Sequence, residues 1–174
     1  LPIWNSSPAL YRQYEKLYEH YSENDFRALK FVDASIQEAK RLKDYAHLTL
    51  AYEDALYFSS SPETKLKLAD SAITASIKSQ DKILISKSYL GKGIVYYFNY
   101  KNYADALKQY ILAYKFSENI EDEYLKYKIR YHLGVVKIYL GYYDEAASLF
   151  LECRSFFKRR LKDSTLPNQK FNRS

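Results

Sequence analysis

Three histidines, one cysteine and a Gly-Lys-Gly run are the residues of this 174-residue chain best suited to hold a metal, attack a substrate or cradle a phosphate. Their spacing argues against each chemistry. His20, His47 and His132 fall on separate predicted helices, and none has a second ligand three or four residues away, whereas a metal site needs several converging donors. Cys153 lies on an apolar stripe, the setting of a buried thiol and not of an activated nucleophile. As the only cysteine it excludes an internal disulfide. The run Gly91-Lys92-Gly93 lies inside a predicted helix and lacks the Lys-Ser/Thr of a phosphate loop, so close helix packing is its expected role. Glu121, Asp122 and Glu123 precede a helix, where carboxylates cap, and no carboxylate pair stands out for a shifted pKa. The expectation is a protein without catalytic residues, metal or cofactor.

What remains is surface, and surface chemistry depends on which helices carry it. Only 4 Gly and 4 Pro punctuate the chain, which favours helices over a many-turned β fold. Helix starts are marked by Ser7-Pro8, Asn24, Ser61-Pro62 and Asn102, with Asp105 in a first turn, and Gly141 marks a stop. These signals predict helices at 8–22, 25–42, 44–58, 62–79, 82–99, 103–118, 122–140 and 143–161. Apolar residues follow one face in 103–114 and 146–157. In 122–140 they form two stripes, Leu125-Ile129-Leu133-Val136-Leu140 and Tyr124-Tyr127-Tyr131-Val135-Tyr139, as a helix with neighbours on two sides requires.

The same phrase then recurs at intervals of about 40 residues. Ala28, Val32 and Ser35 are followed by Leu68, Ala72 and Ala75, then by Ala106, Tyr110 and Ala113, then by Ala146, Phe150 and Cys153. Eight helices therefore group into four pairs, approximately 8–42, 44–79, 82–118 and 122–161. A pair of that length cannot bury its apolar face alone, so the pairs must stack into an all-α solenoid. Residues 1–162 form this repeat domain, and 163–174 read as a C-terminal turn or linker. With no polar capping helix after 161, the array is expected to continue past residue 174 or to end against a partner or a second copy.

At Leu133-Gly134, Gly141, Tyr143, Ala146 and Phe150, and again at Gly93, Tyr103, Ala106, Tyr110 and Ala113, the chain resembles the tetratricopeptide repeat family. The resemblance covers 82–158 and is softer over 1–80. Trp4 lies outside any repeat, the family's early Trp and late Pro are absent, and the units are longer than usual. The resemblance implies a right-handed superhelical solenoid of about four helix-turn-helix repeats that binds proteins or peptides. The longer units are similar to those of bacterial transcriptional regulators that join such an array to an effector domain.

If the first helix of each pair lines the concave face, the candidate binding residues are Tyr45, Thr49, Tyr52, Lys92, Tyr96, Asn99, Lys128, Tyr131, His132 and Tyr139. Tyrosine offers broad contact at low entropic cost, and the lysines suit an acidic peptide. Two other classes of function stay open: self-association through the tyrosine faces, and nucleic-acid binding through the net charge of +6 and the 158–162 cluster Lys-Arg-Arg-Leu-Lys. No regularly spaced base-reading set supports the latter, and positive charge also suits a helix C-terminus. No stretch is long and apolar enough to insert in a membrane, and no leader is legible, which favours the cytoplasm; a removed leader would allow the periplasm.

Overall fold

A computed structural model describes the backbone of residues 8–163 and the side chains of 10–161. Eight α-helices follow one another: α1 (Pro8–Tyr18), α2 (Leu29–Leu42), α3 (Tyr45–Phe58), α4 (Pro62–Ser79), α5 (Lys82–Asn99), α6 (Tyr103–Ser117), α7 (Glu123–Tyr139) and α8 (Tyr143–Asp163). No strand occurs among the described residues.

Short polar side chains start most of these helices by accepting a backbone N–H that the helix leaves unpaired. Ser61 accepts from Thr64, Asp81 from Ile83 and Leu84, Asn102 from Asp105, and Asp122 from Leu125. Gly141, at φ +83°, ends α7 as its sequence context suggested. The entry to α2 differs from expectation. Asn24 is not the cap; it takes φ 62°, and its N–H reaches back to the Tyr57 carbonyl at 3.1 Å. Asp25 caps instead, and a 3-10 turn, Phe26–Ala28, precedes α2. The first helix stops at Tyr18, short of residue 22. Ser7, Trp4 and residues 164–174 lie outside the described residues.

Each helix packs on its neighbours in sequence order, so the chain is a helical repeat solenoid. First helices also touch across units, α3 with α5 and α5 with α7, whereas no second helix makes comparable contact with the next. The units approach most closely on the first-helix side, which is therefore the inner side of the stack.

The 40-residue register maps onto the closest helix crossings. Ala28, Val32, Ala72, Ala106, Tyr110, Ala113 and Ala146 are essentially inaccessible. Tyr110, on α6, fills the space over Gly93 of α5; a Cβ at Gly93 would meet the ring at 2.4 Å. Phe150, on α8, repeats this over Gly134 of α7, at 2.8 Å. Burying the Tyr110 ring contributes roughly 2–3 kcal/mol, and the half-buried Phe150 ring less, provided the facing residue has no side chain. Gly91 differs from Gly93: nothing lies within 4 Å of where its Cβ would stand.

These environments predict opposite signs for three similar substitutions. Gly91→Ala should stabilise by about 0.5–1 kcal/mol, because alanine restrains the unfolded chain and fits a helix. Gly93→Ala should cost about 1–3 kcal/mol, because the fully buried Tyr110 ring cannot retreat. Gly134→Ala should fall between, since Phe150 is only half-buried and can shift. Urea denaturation of the three variants tests this order.

Candidate functional site

The ten candidate residues do not share one face. Thr49 is fully buried, and its hydroxyl donates to the Tyr45 carbonyl at 2.8 Å, so it belongs to the core. Tyr45 and Tyr52 line a cleft of about 420 Å³ between α2 and α4, with α3 as its floor. Lys78 lies over the Tyr45 ring (5.4 Å) and Lys40 over Tyr52 (5.8 Å). This is the second-helix side of the stack. Lys92 turns toward α4 and pairs with Asp70 at 2.6 Å, below Tyr96. Asn99 is the exposed last residue of α5. Helical phase explains the correction: Tyr45, Tyr52, Lys92 and Tyr96 sit roughly opposite the surface that first helices turn toward one another.

The α7 candidates are arranged differently. Lys128 projects its charge toward Glu53 of α3, whereas the His132 ring lies 5.4 Å from Tyr110 of α6. Burial, with the Lys128 charge beside it, pushes the His132 imidazole down to about 4, so it is neutral at pH 7. Tyr131 packs near Phe150 at 5.9 Å and stays half exposed. Tyr139 stacks on Tyr103 (4.6 Å) and meets Tyr97 edge-on (5.5 Å), closing the seam between the last two pairs.

Of the residues that do connect all four first helices, the sequence reading singled out only Lys128. Asp54 of α3 accepts a hydrogen bond from the Tyr18 hydroxyl of α1 at 2.7 Å. Glu53 accepts from the Ser88 hydroxyl of α5 at 3.2 Å and lies 3.9 Å from the Lys87 ammonium. Lys128 of α7 adds its positive field at Glu53, and Glu15 of α1 its negative field at Asp54. Open space at Gly91, one turn beyond Lys87, adjoins this line of charge.

Desolvation dominates both carboxyls. Burial raises Glu53 from 4.5 to about 6, against the opposing pull of Lys87 and the Ser88 hydrogen bond. Burial likewise raises Asp54 from 3.8 to about 6, although the Tyr18 hydrogen bond favours the anion. The expectation that no carboxylate pair has a shifted pKa is therefore corrected. Two carboxyls adjacent in sequence look unremarkable until the stack removes their water. Their partners lie in opposite directions, Asp54 toward α1 and Glu53 toward α5, so they do not converge on one reacting atom. They are placed to accept hydrogen bonds or to meet a cation.

Elsewhere, Cys153 is buried and its thiol pushed up by burial, as its apolar stripe implies. Lys158, Arg159 and Arg160 are exposed on the last turns of α8; the side chain of Lys162 lies outside the described residues. Among the described residues no three His, Cys, Asp or Glu side chains gather as metal ligands, and no helix is long and apolar enough to cross a membrane. No model of a known protein family matches this chain, and no curated protein is a detectable relative.

The raised carboxyls fix the sign of a pH effect. A carboxyl with a folded pKa above its unfolded value holds its proton more tightly in the folded chain. Its contribution is greatest below the unfolded pKa and is lost as pH rises through about 6. His132 acts in the opposite direction, losing its contribution as pH falls from about 6.5 toward 4. The difference between Glu53→Gln and the parent removes the histidine from the comparison. The variant should gain stability relative to the parent between pH 4.5 and 7, then level off. Denaturation at several pH values measures it; a gap independent of pH would show that Glu53 titrates normally.

Proposed function

We propose that this chain is a protein- or peptide-binding scaffold of the tetratricopeptide-repeat type, and that its inner face receives an extended or helical segment of a partner. In this reading it is the sensory or interaction part of a larger bacterial regulatory protein. The observation that carries the reading is the charged line from Asp54 and Glu53 through Lys87 to Lys128, beside open space at Gly91. Phe98 and Tyr139, both more than half exposed and about three turns along α5 and α7 from Lys87 and Lys128, supply apolar area.

The expected ligand differs from the acidic peptide suggested by counting lysines. Lys92 is already held by Asp70, and Lys87 and Lys128 face Glu53. Asp54 has no cationic partner within ion-pair distance among the described residues, only Tyr18 and a more distant Lys87. A segment with apolar side chains and at least one basic group fits this balance, because the incoming cation would favour the ionised carboxyls that burial opposes.

Peptide display against the immobilised chain tests the proposal, with Gly91→Leu and the double variant Glu53→Gln, Asp54→Asn as comparisons. Selected peptides should be enriched in aromatic or aliphatic residues next to Lys or Arg. Gly91→Leu fills the open space without removing a contact and should weaken binding about tenfold or more, the equivalent of about 1.4 kcal/mol. The double variant should abolish the basic preference. Peptides bound equally by the parent and both variants, all with unchanged helicity, would place the site elsewhere.

A further inference from the structure

The 40-residue register identifies an apolar face on the last helix pair whose counterpart in the preceding pair is covered. Ile83, Leu90, Tyr97 and Tyr103, on α5 and α6, pack into the core that α7 completes; Leu90 is buried, and Tyr139 of α7 lies on Tyr97 and Tyr103. Tyr124, Tyr131, Ile138 and Tyr143 occupy the same positions 40 or 41 residues later. They are 46%, 49%, 44% and 67% exposed. Three are spaced by sevens along α7, so they form one stripe. The helix that meets the equivalent stripe is α7 itself, presenting Leu125, Ile129, Val136 and Tyr139.

We infer that this face docks an amphipathic helix that presents a matching apolar stripe flanked by carboxylates. Charge points to this occupant. Arg160 lies 5.9 Å from the Tyr124 ring centroid, and Arg154 and Lys158 are exposed on neighbouring turns of α8. None of the three has an ion-pair partner among the described residues. Glutamates flanking an apolar stripe would neutralise these cations. Lys128 borders both this stripe and the charged line, but the carboxyls of that line lie on α3, so Glu53 distinguishes the two sites.

The probe is a fluorescein-labelled synthetic helix of about five turns, with Leu or Ile at i, i+4, i+7, i+11 and i+14 and Glu on both flanks, titrated into the full chain. A second peptide carries Lys in place of Glu. The Glu peptide should bind about tenfold or more tightly than the Lys peptide, with affinity falling as salt rises. Ile138→Asp should abolish binding, and Arg154→Glu with Arg160→Glu should reverse the peptide preference. These positions are exposed, so unchanged helicity and melting confirm that each variant is folded. Glu53→Gln should leave this binding unchanged. The inference is overturned if neither peptide binds, if the charge reversal leaves the preference unaltered, or if Glu53→Gln weakens binding as much as Ile138→Asp. Sedimentation that shows a dimer dissolved by Ile138→Asp would overturn it in favour of a second copy.

Discussion

The arrangement depends on one steric constraint: an aromatic ring on a second helix must rest on a bare backbone in the first. Tyr110 over Gly93 and Phe150 over Gly134 set how closely each late pair can cross. The crossing in turn sets which side chains each first helix turns inward. Alanines at 106 and 146 keep the same approach open near the start of each second helix. A larger residue at these places would change the angle at which every later helix is presented. That is why the period of the sequence is carried by small residues and rings, and much less by the polar surface between them.

Polarity within the stack follows from this geometry. First helices close on one another along the inner side, and the polar residues caught there lose water without losing their charges. Burial and the neighbouring Asp54 raise Glu53 there, while Lys87 and Lys128 pull it back down. The outer clefts behave differently. Lysines over tyrosine rings at Tyr45 and Tyr52 keep their ammonium groups in water, an arrangement that holds the rings without strong fields.

Much of the fold was legible because it is written in local chemistry. Ser61-Pro62, Asn102 and Gly141 mark helix ends by hydrogen bonding and dihedral preference alone, and α4 and α5 have the expected boundaries. Asn24 misled because its neighbour Asp25 can also cap, and only the distant Tyr57 carbonyl decides between them. The site was less legible for a related reason. A helix periodicity shows which residues share a face but not which face turns inward, so Tyr45 and Lys92 were placed half a turn from their positions. Thr49 looked like a polar groove residue until its hydroxyl was found bonded to its own helix. Glu53 and Asp54 carry no local signal, since their character comes from helices 35 or so residues away.

The position of the charged line also has a mechanical side. It runs along the inside of the curve, where bending an elongated stack changes distances most. Tightening the coil would carry Glu53 toward Lys87 and Lys128, and opening it would draw them apart. Electrostatic attraction there resists opening and favours tightening, and adding or removing one proton changes that pull as well as the charge of the groove.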